Sequence, residues 1–382
     1  MYHVKTMNKI SKIGLAELDD RFEISDTMEH EDAILVRSAK LHDYDFPAEL
    51  LCIARAGAGV NNIPLDRAAE AGIVVFNTPG ANANGVKELT IAALLLASRK
   101  ISQGITWVKE QAAAGADVAA VVEKGKAAYV GPEIQGKTLG VVGLGAIGVL
   151  VANAAAALGM QIVGYDPFLS VQHALNLTPG VKVVSTLEEL YGQADYISLH
   201  LPMTPETKGT LNDAAFAAMK DGVRIVNLAR GELVDTEALK AALASGKCAA
   251  YVTDFPNSET AAMEGVVAIP HLGASTPESE DNCAMMAARQ VRDYLDNGNI
   301  VNSVNLPVLS MAWAAKNRVC VLTKGADAAA IAAAVPAVAS ASKTRGEYGY
   351  FLLDTDAQVD TDAIATGRIE LGSNLANAPW TL

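Results

Sequence analysis

The chain has 382 residues, of which 51% are hydrophobic and only 5% aromatic, and its formal net charge is −13. A core made mostly of Ala, Val, Ile and Leu is typical of α/β proteins with parallel sheets, and this length accommodates two or three domains. The negative charge argues against nucleic acid or anionic membrane as partners, so any anionic ligand must be bound by local Arg and Lys side chains or by helix N-termini.

The cysteines and the apolar runs indicate in which cellular compartment the protein lies. The four cysteines are far apart and form no C-x-x-C motif, which is typical of buried, reduced thiols. No apolar signal-peptide segment follows Met1, and apolar runs such as 91–97 are too short to cross a bilayer. We therefore expect a cytoplasmic protein. The cysteines are Cys52, Cys248, Cys283 and Cys320.

The first 80 residues have the pattern of an α/β unit. Arg37 and Ser38 follow the first of three apolar runs, at the strand end where open α/β sheets bind ligands. The loop from Gly57 to Gly59 leaves backbone N–H groups available, as an anion-binding nest does. Alternatively, Arg37 is a solvated strand end and the glycines form only a tight turn. The predicted strands are 33–36, 51–54 and 72–76, with a helix over 64–71.

The next segment has helical periodicity from Ala83 to about Ala114 and predicts a long helix that connects two domains. Glu88 lies on this helix and is interpreted as a structural residue. A turn over 131–136 then precedes the strand at Thr138.

A glycine-rich motif begins after the apolar run 138–142. Gly143, Gly145 and Gly148 form a G-x-G-x-x-G pattern between this strand and an alanine-rich helix, and the following strand ends on Asp166. In a dinucleotide site these glycines allow a tight turn, close approach of a pyrophosphate and close helix–strand packing. The amides of Ala146 and Ile147 would face the anion, while Asp166 would accept from ribose hydroxyls and repel a 2′-phosphate. The pattern therefore predicts NAD, the alternative being a glycine-rich turn without a ligand.

Polar residues also follow three later strands, which are predicted at 224–228, 249–253 and 266–269. Asp254 comes directly after one of them, and Arg230 and His271 each come two residues after another. Because parallel strands present their carboxyl ends at one edge, these residues are expected at the same edge as the glycine loop. Three polar groups at one edge indicate an active site.

The C-terminal part contains a long helix over about 276–297, which we expect to return to the first unit, and then a linker over 302–307. The last 70 or so residues predict the order βαββαβ of a small α+β domain. Its predicted strands are 319–322, 337–342, 350–353 and 368–371, and its predicted helices are 327–334 and 362–365.

Several separate motifs resemble those of the D-isomer-specific 2-hydroxyacid dehydrogenases. They are the runs 55–63 (RAGAGVNNI), 77–82 (NTPGAN), 200–202 (HLP) and 227–235 (NLARGELVD). The runs 270–276 (PHLGAST) and 80–88 (GANANGVKE) resemble the phosphoglycerate dehydrogenase branch of the family. The resemblance covers roughly residues 30–305.

The resemblance implies a catalytic Arg, Glu and His. Arg230 matches the Arg of N-x-A-R-G-x-x-V-D, and His271 matches the His of P-H-x-G. Glu259 matches the Glu of D-V-F-x-x-E-P, although the apolar residues after Asp254 are shifted and Thr260 replaces the usual Pro. His271 would transfer the proton, for which the ordinary imidazole pKa of about 6.5 is suitable, and Glu259 would be hydrogen-bonded to it. Arg230 would hold the substrate carboxylate. Taken alone, such a His is more often structural, but its position after a strand, behind Arg230 and Glu259 in the chain, favours the catalytic role.

The resemblance also implies binding residues. Asp254 would fix the nicotinamide carboxamide, and Arg37 would bind the substrate phosphate. The residues expected at the cofactor are Gly143, Gly145, Ala146, Ile147, Gly148, Asp166, His200, Pro202, Thr207, Leu228, Ala229, Arg230, Asp254, His271, Gly273 and Ala274. Those expected at the substrate are Arg37, Ser38, Ala56, Gly57, Ala58, Asn82, Arg230 and His271. No metal site is expected.

The fold class implied is α/β, with two Rossmann-like domains and a C-terminal ACT-like domain. Residues 1–99 and 273–305 would form a flavodoxin-like substrate domain, 100–272 the NAD-binding domain and 315–382 the ACT-like domain. ACT domains of the phosphoglycerate branch often bind serine, but the usual H-x-N-x-P-G segment is absent and residues 323–327 read TKGAD. Serine inhibition is therefore left open, as is a role of this domain in assembly.

Three functions are compatible with the sequence. The first is NAD-dependent oxidation of 3-phospho-D-glycerate, the first step of serine biosynthesis. The second is the same chemistry on another acid, namely glyoxylate, hydroxypyruvate or 2-oxoglutarate. The third is a non-enzymatic, corepressor-like NAD sensor, against which the presence of Arg230, Glu259 and His271 argues. A homodimer or homotetramer is expected.

Overall fold

The computed structural model describes residues 1–325, 335–358 and 378–381, the last of these as backbone. It contains two compact units. The first comprises Met1–Asn82 and Pro277–Leu382, and the second comprises Ala83–Thr276.

The first unit contains a five-stranded parallel sheet of order β2-β1-β3-β4-β5, the order of flavodoxin-like folds. Its central strand, β3, is apolar throughout because both faces of the sheet are covered there. Along β3, Leu35 belongs to one hydrophobic core and Ile34 to the other, as the alternation of a strand requires. The strands are β1 (Tyr2–Met7), β2 (Phe22–Ser25), β3 (Ala33–Val36), β4 (Cys52–Arg55) and β5 (Val74–Phe76).

In the described part of this unit, three helices accompany the sheet. The longest, α12 (Pro277–Asn297), has Pro at its first position and Gly298 in a left-handed conformation after its end. It packs closely on α1 (Lys12–Leu15), since a Cβ at Gly14 would lie 2.3 Å from the Cβ of Ala284. The third is α2 (Leu65–Glu70).

The C-terminal part adds an antiparallel sheet to the same unit, of order β14-β15-β13-β16. Cys320 and Leu352 on one face join the core of the parallel sheet, whereas Val321 and Phe351 on the other face join a small separate core. This sheet is therefore packed against the five-stranded sheet. Its strands are β13 (Asn317–Lys324), β14 (Ala339–Arg345), β15 (Tyr348–Thr355) and β16 (Ala378–Thr381).

The second unit contains a seven-stranded sheet of order β12-β11-β10-β9-β6-β7-β8, in which every pair is parallel. The strand order reverses between β6 and β9, which is where open α/β sheets bind dinucleotides. The strands are β6 (Thr138–Val142), β7 (Gln161–Tyr165), β8 (Lys182–Val183), β9 (Tyr196–Leu199), β10 (Val223–Asn227), β11 (Cys248–Thr253) and β12 (Val266–Ala268).

Within residues 83–276, nine helices accompany this second sheet, and two short 3-10 turns occupy Lys126–Tyr129 and Gly231–Leu233. The helices are α3 (Ala83–Ser98), α4 (Ile101–Ala113), α5 (Val118–Gly125), α6 (Ala146–Ala157), α7 (Val171–Leu175), α8 (Leu187–Gln193), α9 (Asp213–Ala218), α10 (Thr236–Ala244) and α11 (Ser258–Ala262). Of these, α4 and α5 have no buried residues.

The predicted fold class is confirmed, but two local predictions are wrong or incomplete. The expected long helix from Ala83 to about Ala114 is two helices, because Lys100 leaves the helical conformation. Eight residues of α3 are buried and none of α4 is, so the first helix ends where the chain leaves the sheet. β1 and β2 were missed because polar residues interrupt their apolar pattern. The helices predicted over 327–334 and 362–365, and the strand predicted over 368–371, lie outside the described residues.

Candidate active site

The glycine motif occupies the turn between β6 and α6. Gly143 has φ +92°, and a Cβ on it would lie 2.6 Å from the carbonyl oxygen of His200. A Cβ on Gly148 would lie 1.9 Å from the carbonyl oxygen of Gly143, so the fold itself requires both of these glycines. A Cβ on Gly145 would meet no atom within 4 Å. The open space is thus above Gly145, next to the first amides of a twelve-residue helix, where an anion would be stabilised.

Asp166 lies at the end of β7 and connects to the glycine loop. Its Oδ2 accepts from the backbone N–H of Leu144 at 2.9 Å, and its Oδ1 accepts from that of Phe168 at 2.8 Å. Each carboxylate oxygen can accept a further bond. The predicted ribose acceptor is therefore held beside the expected pyrophosphate position.

The loop after β9 contains three of the predicted cofactor residues. The Nε2 of His200 lies 2.9 Å from the Oγ of Ser198, and burial lowers the pKa of His200 to about 4. The imidazole is therefore neutral at physiological pH. Thr207 donates from its hydroxyl to the carbonyl oxygen of Pro202 at 2.7 Å, which closes this loop.

Asp254 lies directly after β11, and only 1% of its surface is exposed. Its Oδ2 accepts from the backbone N–H of Gly273 at 3.1 Å, whereas its Oδ1 is buried without a hydrogen-bond partner within residues 1–325. Burial raises the pKa of Asp254, and the Gly273 amide and the nearby His271 partly oppose that shift. A buried carboxylate oxygen without a partner is costly, and a ligand amide would remove that cost.

Arg230 and His271 follow β10 and β12, and both contact the ring of Phe255. The Cζ of Arg230 lies 5.2 Å from the centre of this ring, and the centre of the His271 ring lies 4.3 Å from it. The buried side chain of Asn227 donates to the carbonyl oxygen of Arg230 at 2.8 Å and fixes the turn after β10. The tertiary structure therefore brings two of the three predicted catalytic residues to one aromatic side chain.

The third predicted catalytic residue, Glu259, has a different partner in this structure. Its Oε1 lies 3.1 Å from the Nζ of Lys240, and its side chain is 47% exposed. Within residues 1–325 no hydrogen bond joins Glu259 to His271, so the structure does not contain the predicted hydrogen bond between them.

The predicted substrate residues of the first unit lie around the ends of β3 and β4. Arg37 donates to the Oε1 of Glu280 at 2.7 Å, and its carbonyl oxygen accepts from the Nε of Arg55 at 3.1 Å. Arg55 also lies against the glycine loop, since a Cβ on Gly57 would be 2.0 Å from its Nη1. The sequence reasoning did not assign Arg55 to the site, although it is the last residue of β4 and directly precedes the predicted Ala56. Two guanidinium groups therefore lie at this edge.

The remaining predicted substrate residues have mainly backbone contacts. The amide of Ser38 donates to the side chain of Asn8 at 3.0 Å, and that of Ala56 donates to Val36 at 2.8 Å. The carbonyl oxygen of Ala58 accepts from Asn77 at 2.7 Å. The Oδ1 of Asn82 is buried and lacks a hydrogen-bond partner among the described residues.

Comparison with known proteins is consistent with this arrangement. Residues 91–273 match the family model described as the D-isomer specific 2-hydroxyacid dehydrogenase NAD-binding domain. The D-3-phosphoglycerate dehydrogenase of Rattus norvegicus is 38% identical over 291 residues, which cover 74% of this chain and 52% of the rat protein. Residues 91–273 of this chain belong to the D-isomer-specific 2-hydroxyacid dehydrogenase family as an NAD-binding domain. The prediction of an NAD-binding domain is confirmed.

Two solved enzyme structures have folds similar to that of this chain. The NAD-bound 3-phosphoglycerate dehydrogenase of Entamoeba histolytica has a TM-score of 0.61 and 27% identity, over 81% of this chain and 99% of that one. A glyoxylate reductase from Paecilomyes thermophila has a TM-score of 0.65 and 28% identity, over 79% of this chain and 98% of that one. The chain spans 52–60% of the length of the first curated relatives that it matches.

The structure explains one departure from the family motif. Thr260, which replaces the motif's Pro, closes a capping box at the start of α11: its amide donates to the Oδ1 of Asn257 at 2.8 Å, and its hydroxyl accepts from the amide of Asn257 at 2.9 Å. A Pro at this position would have neither an N–H to donate to Asn257 nor a hydroxyl to accept from its amide, so Thr260 makes two bonds that Pro cannot. The substitution therefore keeps Glu259 in the first turn of a capped helix.

Within the described residues, no helix is long and apolar enough to cross a membrane. In the same residues, no group of three or more His, Cys, Asp or Glu side chains is arranged to hold a metal ion.

Proposed function

We propose that this protein is an NAD-dependent D-3-phosphoglycerate dehydrogenase, which oxidises 3-phospho-D-glycerate to 3-phosphohydroxypyruvate. The observation that carries the proposal is the buried Oδ1 of Asp254, which lacks a hydrogen-bond partner among the described residues and lies at the same sheet edge as Arg230, His271 and the glycine loop. This arrangement fits a nicotinamide carboxamide at one end and a pyrophosphate at the other.

The residues at this edge fit NAD. Gly145 leaves room for the pyrophosphate, Asp166 accepts from the ribose, and Asp254 accepts from the carboxamide. The carboxylate of Asp166 would repel a 2′-phosphate, which favours NAD over NADP. When bound, the nicotinamide ring accepts hydride from C2 of the substrate, or donates it in the reverse direction.

The chain's own residues would supply the acid–base chemistry. His271 takes the proton from the C2 hydroxyl during oxidation and returns it to the ketone oxygen during reduction. Arg230 binds the substrate carboxylate and polarises the carbonyl. Glu259 would orient His271 and favour its protonated state in the reducing direction, which requires it to leave Lys240.

The substrate phosphate would be bound by the first unit. Arg37 and Arg55 place two guanidinium groups at the carboxyl edge of its sheet, beside the amides of the Gly57 loop. Such a pair suits a phosphate dianion, which a net charge of −13 would otherwise repel. The names of the relatives in rat and Entamoeba histolytica support the same substrate.

Reduction of a smaller acid, such as glyoxylate or hydroxypyruvate, is the second candidate. The ion pair between Arg37 and Glu280 favours it, because a carboxylate 2.7 Å from the guanidinium competes with a substrate phosphate. The similarity to the Paecilomyes thermophila glyoxylate reductase supports the same alternative.

A substrate panel with NADH decides between the two. Phosphohydroxypyruvate, glyoxylate, hydroxypyruvate and 2-oxoglutarate would be reduced by the wild-type protein and by R37Q and R55Q variants. We expect the highest kcat/KM with phosphohydroxypyruvate and a larger loss with this substrate than with glyoxylate in both variants. R21Q is the matched control, because Arg21 is an exposed arginine of the same unit that pairs with Asp19 and Asp296. A rate with glyoxylate but none with phosphohydroxypyruvate would refute the proposal.

Binding of NADH without turnover of any 2-oxo acid would instead support the corepressor-like sensor. The H271A variant separates chemistry from binding, since loss of a general acid–base group lowers kcat about 10²–10⁴-fold while NADH still binds. Repeating the panel with serine tests whether the ACT-like region responds to it.

We also propose the domain roles. Residues 1–99 and 273–305 form the substrate domain, 100–272 the NAD domain and 315–382 an ACT-like domain. The parallel sheet orders of the two units and the antiparallel C-terminal sheet support these assignments. NADH binding by a fragment of residues 83–276, the second compact unit, would support the separate NAD domain, and a folded fragment that does not bind NADH would argue against it.

A homodimer or homotetramer is proposed as the assembly. Helix α4 exposes three apolar side chains, Ile101 (44%), Ile105 (52%) and Val108 (36%), and neither α4 nor α5 has a buried residue. A second copy of the chain would cover this apolar surface. Light scattering of I105D would then report a smaller particle than the wild type. A cytoplasmic location is also proposed, because all four cysteines are buried thiols.

A further inference from the structure

Phe255 directly follows Asp254 and contacts the two residues proposed to act on the substrate. Its ring centre lies 4.3 Å from that of the His271 ring, with 46° between the planes, and 5.2 Å from the Cζ of Arg230. In the motif D-V-F-x-x-E-P the aromatic residue is the second after the Asp, whereas here it is the first. This chain therefore has an aromatic side chain one residue nearer to the buried carboxylate.

The backbone of Phe255 is held in place independently of its ring. Its amide donates to the Oγ1 of Thr253 at 3.0 Å, and Thr253 is fully buried in β11. Its carbonyl oxygen packs against Gly231, where a Cβ would lie 3.2 Å away. Since a Phe side chain has only two χ angles, a fixed backbone leaves the ring few positions.

Arg230 and His271 themselves have few other restraints. The guanidinium of Arg230 donates to the carbonyl oxygen of its own neighbour, Ala229, at 2.6 Å. The His271 side chain is exposed, and within residues 1–325 its imidazole has no side-chain hydrogen bond. Glu259, which was expected to orient it, contacts Lys240 instead. The Phe255 ring is thus a contact that both functional groups share.

We propose that Phe255 is a positioning residue, which sets the position of the His271 imidazole relative to the Arg230 guanidinium; this rests on the proposed dehydrogenase function. An aromatic face attracts a guanidinium or an imidazolium and presents a flat surface to a planar group. An aliphatic side chain keeps the apolar contact but offers neither property. The role is distinct from catalysis, because Phe255 acts through the two residues that it contacts.

Steady-state kinetics of the full chain with NADH test this role. The 2-oxo acid used is the one that the wild type reduces best. We expect F255L to lower kcat by about tenfold to a hundredfold, because a misplacement of about 1 Å costs on this order. The dissociation constant of NADH should stay unchanged, and F255Y should retain most of the wild-type rate. If F255L fails to fold, F255M takes its place.

Two controls separate positioning from general destabilisation. F216L makes the same change at a buried phenylalanine of the same unit, in the hydrophobic core. It should lower the melting temperature without lowering kcat at 25 °C. Combining F255L with R230K should lower kcat less than the product of the two single effects, because both changes disturb one arrangement.

NMR provides a readout that does not depend on turnover. Replacement of the Phe255 ring removes its ring current, so the His271 Cε1–H resonance should move in F255L and stay in place in F216L. Wild-type kcat in F255L, or an equal loss in F216L, would overturn the positioning role while the proposed function stands. A wild-type protein that reduces none of the 2-oxo acids would overturn the proposed function itself, whatever the resonance does.

Discussion

Arg318 and Asp354 form a fully buried ion pair, in which the Nε of Arg318 lies 2.6 Å from the Oδ1 of Asp354 and both side chains are 0% exposed. The guanidinium also donates to the carbonyl oxygens of Asn297 and Met311 at 3.0 and 2.9 Å. The second carboxylate oxygen accepts from the amide of Ala314 at 2.7 Å. One network therefore connects the C-terminal sheet to the end of α12 and to the segment between them.

Removal of one member of this network should destabilise the first unit. In R318M the carboxylate of Asp354 stays buried without its counter-charge, which costs about 3–5 kcal/mol in free energy of unfolding. Urea unfolding followed by circular dichroism measures the loss. R21M is the control, because the ion pairs of Arg21 with Asp19 and Asp296 are solvent-exposed and contribute little. Equal stability of R318M and the wild type would show that the network does not hold the sheet in place.

The glycine loop gives a prediction that separates binding from folding. G145A adds a methyl group where no protein atom lies within 4 Å, so the melting temperature should stay unchanged while NADH binds at least about tenfold more weakly. In G148A the added Cβ would lie 1.9 Å from a backbone oxygen, so stability and binding should both fall.

Calorimetric titration with NADH and thermal melting check this contrast. G192A is the control, since its Cβ would also meet no atom within 4 Å and Gly192 lies on α8, away from the loop. Undiminished NADH affinity in G145A would contradict the cofactor position.

Removal of the charge of Asp254 should stabilise the folded state but weaken NADH binding. Burial raises its pKa, so the folded state binds a proton more tightly than the unfolded state. The protonated carboxyl therefore stabilises the folded state at pH values below about 3.9, the pKa of this group in the unfolded chain. This contribution is lost as the pH rises through the higher pKa of the folded state. D254N removes the buried charge, so it should melt above the wild type at pH 7, and this difference should disappear at low pH.

The same variant should bind NADH more weakly, because its amide group replaces one of the two acceptor oxygens. Differential scanning fluorimetry from pH 4 to 8, with and without NADH, measures both effects. D221N, which changes an exposed carboxylate, should leave the melting temperature and the NADH effect as in the wild type. A D254N protein that melts below the wild type at pH 7 would contradict the account.

His200 should contribute to acid sensitivity. Burial lowers its pKa to about 4, so the folded state resists protonation, whereas the unfolded state is protonated from about pH 6.5 downwards. Stability is therefore complete at neutral pH and falls as pH decreases from about 6.5 to 4, by up to about 3 kcal/mol at 1.36 kcal/mol per pKa unit.

H200Q should reduce this difference in unfolding free energy between pH 7 and pH 4.5, as measured by urea unfolding at both pH values. H42Q changes an exposed histidine and should leave the difference unchanged. An H200Q protein as acid-sensitive as the wild type would show that other groups are responsible.

The glycine loop was predictable because its information is local. Gly143, Gly145 and Gly148 are close together in the chain, and Gly148 is required by the carbonyl oxygen of Gly143 in the same turn. Only the contact of Gly143 with the carbonyl oxygen of His200 comes from a distant part of the chain. The positions of Arg230 and His271 after their strands were also predictable. The apolar runs end abruptly, and parallel strands have their carboxyl ends at the same edge of the sheet.

Other features depended on contacts between distant parts of the chain. Phe255 meets Arg230 and His271 only because β10, β11 and β12 are neighbours in the sheet. The pair of Arg318 and Asp354 joins residues 36 positions apart, and neither belongs to a motif. The break after α3 depends on which residues the sheet buries.

The sequence by itself determined the fold class, the dinucleotide loop and the strand ends that carry the proposed chemistry, because glycine conformation and apolar periodicity are local properties. Only the tertiary structure decided which side chains meet there: Phe255 between the proposed acid–base and carboxylate-binding residues, Lys240 at Glu259, and an oxygen of Asp254 that has no hydrogen-bond partner in the described part of the chain. Side-chain partners depend on the packing of elements that are remote in the chain, and that packing is set by the burial of the whole core.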